Sequence, residues 1–474
     1  MAKKAALLGL GIENLALAKH LLDTGTEITI CDRRTADELG ERLAAFRRAG
    51  VELQLGPGYL DSLHRFDTVF RSPGLPLFEP ALEAARAAGV EITSAIRLFF
   101  DLCPVPIVGV TGSKGKGTTA SLIFHILQHE NQERAGRVWL GGNIGVAPFN
   151  FLEQIGPDDL VVLELSSFQL EDAHKSPKIA VITNIFPEHL KSSDPNNPNY
   201  HRSMAGYVAA KANILRHAPP GAATAVLNAD NDACRALAAE ARGETLWFSL
   251  GEVPEGAFVA DRGRGRRVYL RRHGVETDVC GADEVQIRGE HNLQNVCAAL
   301  AAASAAGAGA EAMREAVTAF KGLEHRLEFV READGIKYYD DSFATTPEAS
   351  AVALRAFGEP VVLIAGGADK GSDYRPYAEA ILEGRVRAVI LIGAMAGRIR
   401  GTIEALAQEM KKPPPRLVEG PDTMPAIVAA ARDLARAGDV VLLSTACASF
   451  GLFKNYKERG DLFKQAVREM AERP

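Results

Sequence analysis

Short apolar runs alternate with stretches whose apolar positions fall three and four residues apart, and this pattern repeats along nearly the whole chain. The runs predict buried parallel strands and the stretches predict amphipathic helices, so together they predict βαβ units. Over residues 1–94 the series reads "KAALLGLG", "NLALAKHLLDTG", "EITICD", "VELQLG", "DTVFRSPG", "PALEAARAAG" and "VEITSA". A second series, within residues 95–322, runs from "PVPIVGVTGSKGKGTTASLIFHIL" through "DLVVLELSSF", "IAVITNIF", "YVAAKANILRH" and "TAVLNADN" to the alanine-rich "NVCAALAAASAAG". The third, within residues 323–474, holds "GIKYYDDS", "PVVLIAGG", "VRAVILIGA" and "DVVLLSTA". The expected fold is α/β with three tandem domains: a Rossmann-like N-terminal domain, a central P-loop ATPase-like domain and a Rossmann-like C-terminal domain.

Composition narrows the class. A chain of 474 residues is longer than one hydrophobic core usually supports, which agrees with several domains. Apolar residues make up 47% and charged residues 24%, and no stretch reaches the ~20 apolar residues of a membrane span. The start "MAKKAALLGLGIE" lacks a signal cleavage pattern, so a cytoplasmic protein with no membrane partner is expected. Cys31, Cys103, Cys234, Cys280, Cys297 and Cys447 are scattered without a C-x-x-C pair, which predicts reduced thiols. A net charge of −6 gives no general attraction to nucleic acid. The one basic run, "RGRGRRVYLRR" at residues 262–272, reads as a solvated hairpin or as a nucleic-acid patch, and no nucleic-acid partner is expected.

The chemistry starts at "GVTGSKGKGTT", residues 109–119, between a predicted strand and a predicted helix. It departs from the usual P-loop, with Val110 in place of the first Gly and Gly117 in place of the Ser or Thr after the lysine. Gly112 and Gly115 still allow backbone N–H groups to converge on phosphate oxygens, Lys116 supplies a charge, and Thr118 or Thr119 can replace the lost hydroxyl. Glu164 ends a buried strand at the edge where ligands bind in open α/β sheets, which makes it a magnesium candidate or a strand-end salt bridge. Asn184 and His189 follow the next strand, and Lys211 lies on a helix face of small residues. At the N-terminus "GLGIEN", with Asp32 ending the second strand, is a partial dinucleotide fingerprint with Asn14 at its third glycine position. It is read as a nucleotide turn or as a purely structural one.

Taken in order, "TGSKGKGTT", "GGNIG", "LELSSFQLE", "NIFPEHL", "AAKANI", "GEHNLQNVCAALA", "GLEHRLEFV", "DDSFATTPEA", "GGADKGSDY" and "STACASFGLFKNYKERGDLF" resemble the Mur ligases, in particular their glutamate-adding members. The resemblance runs from about residue 5 to residue 465, and the compact Gly-Lys loop is a feature of this family and of the related folylpolyglutamate synthases. It implies an ATP-dependent ligase acting on UDP-N-acetylmuramoyl-L-alanine and glutamate through an acyl phosphate, with magnesium, in peptidoglycan precursor synthesis. It also implies a UDP-sugar-binding domain at residues 1–94, an ATP-binding domain at 95–322, a glutamate-binding domain at 323–474, and a monomer. The UDP-sugar residues would be Gly11, Ile12, Glu13, Asp32, Arg33, Ser72 and Gly74. ATP would meet Gly112, Ser113, Lys114, Gly115, Lys116, Gly117, Thr118, Asn292, Asn295, Arg326 and Asp341. Lys116, Asn143, His189 and Lys211 would be catalytic. Glu164, His189, Thr118 and a CO2-derived carbamate on Lys211 would hold the metal. Lys370, Ser449, Phe450 and Tyr456 would grip glutamate.

This chain also departs from the family pattern. It has Phe343 where the family usually carries a lysine, "STACAS" for "SPACAS", and "PEHLKSS" for an acidic stretch. D-glutamate is the expected amino acid, while "FPEHL" and "TTPE" are similar to an L-glutamate-adding variant. A folylpolyglutamate synthase, a dehydrogenase using the first turn, and a non-catalytic nucleotide-binding module are the competing functions.

Overall fold

The computed structural model describes residues 4–131, 136–190, 199–368 and 372–471. The chain divides into two compact units, Met1–Glu284 with Gln294–Thr318, and Val285–Leu293 with Ala319–Pro474.

The first unit carries two sheets. The N-terminal sheet is wholly parallel, with strands in the order Glu52–Leu55, Glu27–Asp32, Lys4–Leu8, Thr68–Arg71 and Glu91–Thr93. The chain builds outward from Lys4–Leu8 to one edge and then returns to its other side. The ends of Lys4–Leu8 and Thr68–Arg71 therefore flank the switch point where such sheets bind ligands. Both faces are covered: Ala5 and Leu7 enter one apolar core, and Ala6 and Leu8 enter the other. Period-two alternation thus explains an uninterrupted apolar run.

The second sheet has nine strands, among which Ile107–Thr111 lies between Leu160–Glu164 and Ile179–Ile182. These three are parallel, and their register sets Val110 beside both Glu164 and Val181, so their C-terminal ends meet at one place. Strand Val138–Gly142 adds an edge beside Leu160–Glu164 that the apolar pattern did not reveal, because two of its five residues are glycines. At the opposite edge Gly256–Asp261, Arg266–Arg272 and Val275–Gly281 form antiparallel hairpins. There four of the six arginines of the basic run pair with nearby carboxylates: Arg262 with Glu252 and Glu276, Arg267 with Asp278, Arg271 with Glu276, and Arg272 with Glu244. The two sheets share a core, into which the helix Ala95–Leu102 inserts Phe99 against Phe149 and Phe151.

The second unit has one six-stranded sheet, ordered Glu328–Ala333, Ile336–Asp340, Val440–Leu443, Val361–Gly366, Val386–Ile392 and Arg416–Glu419. Only its first strand is antiparallel. Leu363, Val389 and Leu442 face one core and Ile364, Ile390 and Leu443 the other. All six cysteines are free thiols, and only Cys103 is less than fully buried. Among the described residues no helix is long and apolar enough to cross a membrane.

Candidate active site

The loop after Ile107–Thr111 turns into the helix Lys116–Glu130. Gly115 caps that helix at φ 83°, and Gly112 takes φ 146°. A Cβ on Gly112 would come within 1.9 Å of Thr183 Oγ1, and one on Gly115 within 2.3 Å of Asn295 Oδ1. Both positions therefore need glycine for packing as well as for backbone conformation. The loop is tied to the end of the neighbouring strand: Ser113 N donates to Asn184 O, Lys114 N to Asn184 Oδ1 at 2.8 Å, and Thr183 Oγ1 to Lys114 O at 2.6 Å. The Ser113 hydroxyl lies 2.8 Å from that of Tyr207.

Two ammonium groups converge on this loop. Lys116 Nζ donates to Gly112 O and Ser113 O, each at 3.0 Å, and Lys211 Nζ donates to the same Gly112 O at 2.7 Å. Lys211 is 1% exposed on the helix Met204–Arg216, among Ala210, Ala212 and Tyr207. Burial, and secondarily Lys116, push its pKa well below the usual lysine value against the pull of Glu188 and Glu164.

Glu164 is buried at the end of its strand, and its Oε1 accepts from Asn143 Nδ2 at 2.9 Å while Asn143 N donates to Glu164 O. His189, in the left-handed region at φ 58°, lies against Phe168 and Tyr207 with ring centroids 5.2 and 6.4 Å away. Burial holds its pKa below the ordinary value, aided by Lys116 and Lys211 and opposed by Glu188. Glu188 pairs with Lys114 at 2.6 Å; burial would raise its pKa, but Lys114, Lys116 and His189 keep it low. Thr118 is buried in the first helical turn.

The N-terminal turn is more open. Gly9 takes φ 82° with room limited by Ser72, but a Cβ on Gly11 would meet nothing within 4 Å, and Ile12 beside it is 72% exposed. Asn14 donates to Leu8 O and Gly9 O at 3.0 Å, fastening the turn where the fingerprint would have a small residue. Asp32 accepts from Leu10 N at 2.7 Å and from the Arg34 guanidinium at 2.7 and 3.0 Å. These bonds and the Arg34 charge outweigh burial and lower its pKa. Arg33, expected among the UDP-sugar residues, is exposed. Ser72 N donates to Leu8 O, and Gly74 N to Ser72 Oγ, which fastens the 72–74 turn beside the end of Lys4–Leu8. Glu13 accepts from Gln169, and burial pushes its carboxyl up to about 7 against the pull of that bond and of Arg71.

Three family descriptions match the chain in order: a Mur ligase MurD-like N-terminal domain over residues 3–94, the Mur ligase middle domain over 110–303, and the Mur ligase glutamate ligase domain over 325–447. The chain is 44% identical to the UDP-N-acetylmuramoylalanine--D-glutamate ligase of Symbiobacterium thermophilum, covering 99% of each chain. It is 40% identical to the enzyme of the same name from Acetivibrio thermocellus, covering 98% of this chain and 96% of the other. The chain belongs to the Mur ligases. As a Mur ligase it is an ATP-dependent amide ligase, and the family uses magnesium. Its fold is also that of the UDP-N-acetylmuramate-alanine ligase of Thermotoga maritima, with a TM-score of 0.57 at 21% identity over 98% of this chain and 99% of that one. A MurF ligase from Thermotoga maritima solved with ADP gives a TM-score of 0.56 at 17% identity, over 99% and 96%.

Lys116, Glu164, Asn143, His189, Lys211 and Thr118 of this Mur ligase all belong to the first unit, as does Asn295, which accepts from Thr119 Oγ1 at 3.3 Å. In the second unit Asn292 donates to Arg288 O, and the Arg326 guanidinium lies 4.4 Å from the centroid of Phe343, whose ring meets Tyr456 edge-on at 5.2 Å. Asp341 is buried, and burial pushes its carboxyl up to about 7 despite a 2.6 Å bond from Ser444 Oγ. Ser449 is buried, whereas Phe450 is 63% exposed. Lys370 lies outside the described residues. Sequence reasoning passed over Thr183, Glu188 and Tyr207 as loop and site contacts. Thr183 and Glu188 flank residues it did single out, but nothing local marks Tyr207, whose ring reaches the loop from a helix 94 residues after Ser113.

Proposed function

We propose that this Mur ligase joins D-glutamate to the alanine carboxylate of UDP-N-acetylmuramoyl-L-alanine, with ATP converted to ADP and phosphate, in peptidoglycan precursor synthesis. Full-length identity of 44% with a UDP-N-acetylmuramoylalanine--D-glutamate ligase carries the reading. The loop geometry supports it. A carboxylate and an amine do not condense in water at neutral pH, so the carboxylate oxygen attacks the γ-phosphorus of ATP and forms an acyl phosphate. The amine of glutamate then attacks the acyl carbon, loses a proton, and phosphate departs.

Lys116 and the loop N–H groups stabilise charge on the transferring oxygens, the main protein contribution to phosphoryl transfer. The donor set fits magnesium: a buried Glu164 carboxylate oriented by Asn143, the hydroxyl of Thr118, His189, and an amine at Lys211 whose depressed pKa suits conversion to a carbamate. Magnesium, when bound, neutralises phosphate charge. Without that conversion two ammonium groups would flank the site, so the carbamate also removes a repulsion. Gly11, Ile12, Glu13, Asp32, Arg33, Ser72 and Gly74 serve the UDP-sugar, and Asn292, Asn295, Arg326 and Asp341 serve the nucleotide. Lys370, Ser449, Phe450 and Tyr456 serve glutamate. The domain limits fall at 94 and 322, and the protein works as a cytoplasmic monomer.

Phosphate release with UDP-N-acetylmuramoyl-L-alanine, ATP and each glutamate isomer tests the reading. Turnover with D-glutamate and little with L-glutamate is expected. The reverse preference would assign the L-glutamate reaction, and no turnover with either would overturn the proposal.

A further inference from the structure

A buried polar cluster at the junction of the first unit's two sheets has no part in the chemistry described so far. Arg71 ends the strand Thr68–Arg71 immediately before the 72–74 turn and is wholly buried. Its guanidinium donates to Leu75 O at 2.7 Å and to Phe168 O at 2.9 Å, and it faces Glu171 at 3.5 Å and Asp172 at 3.8 Å. Glu171 reaches His201 at 3.4 Å with its other oxygen. His201 stacks on Phe168 at 4.8 Å, lies 2.9 Å from Ser167 Oγ, and donates its backbone N–H to His189 O. Its ring also meets the edge of Tyr207, which bonds Ser113 of the phosphate loop. On the other side Asn199 donates to Pro73 O at 2.7 Å. A continuous set of contacts therefore runs from the 72–74 turn to the phosphate loop and His189.

The cluster is poorly built for stability alone. Arg71 Nε, Glu171 Oε2, Asp172 Oδ2 and Asn199 Oδ1 are buried without a hydrogen-bond partner among the described residues, and such groups are costly in a fold. The apolar core shared by the two sheets holds them together but is indifferent to angle, whereas hydrogen bonds such as those from Arg71 to Leu75 O and Phe168 O are directional.

We propose that Arg71, Glu171 and His201 are positioning residues that set the register of the 72–74 turn against the phosphate loop. A carboxylate carried by a ligand on that turn is thereby held in line with the phosphoryl group to be transferred. This inference rests on the functional reading above, in which the two substrates occupy the two sheets of this unit.

The test uses the full-length enzyme with Arg71→Met, Arg71→Lys, Glu171→Gln and His201→Gln. Steady-state kinetics are combined with calorimetric binding of UDP-N-acetylmuramoyl-L-alanine and of ATP, each alone, and with circular dichroism at the assay temperature. Arg71→Met and Glu171→Gln are expected to lower kcat by ~10- to 100-fold while each single-substrate Kd stays within about threefold, because misalignment costs rate before it costs binding. His201→Gln should follow them, and Arg71→Lys should recover part of the loss. Wild-type kcat in Arg71→Met and Glu171→Gln, or losses that track only the folded fraction, would overturn the inference and leave the function standing. Failure of the unaltered enzyme to bind the UDP-sugar would instead remove the functional reading and the inference with it.

Discussion

Two glycine-rich strand-to-helix turns open the first two sheets, and their glycines differ in what surrounds them. In the phosphate loop, Gly112 and Gly115 are small because protein atoms already fill the space: Thr183 stands over one and Asn295 over the other. In the N-terminal turn a Cβ on Gly11 would meet nothing within 4 Å, so packing against the protein does not require glycine there. Charge differs in the same sense. The phosphate loop gathers Lys114, Lys116 and Lys211, whereas the N-terminal turn carries Asp32, bonded by Arg34, and the half-buried Glu13. One turn is closely packed and lined by lysines, and the other is open and carries carboxylates. Similar glycine spacing does not imply similar work.

Removing the phosphate loop's charge should separate the two turns most sharply. Lys116→Ala is expected to lower ligation by ~1,000-fold or more, as loss of a phosphate-neutralising cation does, while UDP-sugar affinity measured by calorimetry stays unchanged. Equal loss of both would make the loop lysine a folding residue and dissolve the contrast. Lys211→Ala comes next, with turnover down by ~100-fold or more if an anionic oxygen ligand is lost, and partly restored by acetate. Near wild-type phosphate release from that variant would show that the carbamate is not needed.

The steric contrast is tested by thermal unfolding. Gly112→Ala should destabilise the fold by about 2–3 kcal/mol through overpacking and backbone strain, and Gly11→Ala by less than about 0.5 kcal/mol. In Gly11→Ala the effect should appear in UDP-sugar affinity instead, and matching unfolding curves for the two variants would erase the distinction. The smallest effect concerns Glu13. Its carboxyl is raised from 4.5 to about 7 by burial, so its contribution to stability is complete below pH 4.5 and is lost as pH rises through about 7. Ionisation there also repels an anionic ligand, and UDP-sugar affinity should fall about threefold between pH 6 and 8. Glu13→Gln should flatten that profile; an unchanged slope in the variant would place the titrating group elsewhere.

Much of this was legible before folding. The strands Lys4–Leu8, Ile107–Thr111 and Leu160–Glu164 stand out because burial on both faces leaves them apolar along most of their length. Lys116 could be found because a phosphate loop is local, with every part within eight residues. The edge strand Val138–Gly142 was harder, since its glycines dilute the apolar pattern, whereas the basic run already read as a hairpin and Arg266–Arg272 pairs antiparallel on both sides. Which arginine serves Asp32 was not readable either: Arg33 and Arg34 are neighbours in sequence, and only the turn of the backbone brings Arg34 onto the carboxylate.

The sequence by itself determined the order of elements, the three α/β sheets, the phosphate loop and, by resemblance, the Mur ligase family, because each depends on short-range periodicity or on motifs of a few residues. Tertiary structure decided which residues share an environment. It brought Lys211 and Lys116 onto one carbonyl 99 and 4 residues away, and it joined Arg71, Glu171 and His201 into a single buried cluster across two sheets. The pKa values of Lys211 and Glu13 follow from those environments, since desolvation depends on what surrounds a group in space and the sequence lists only what adjoins it along the chain.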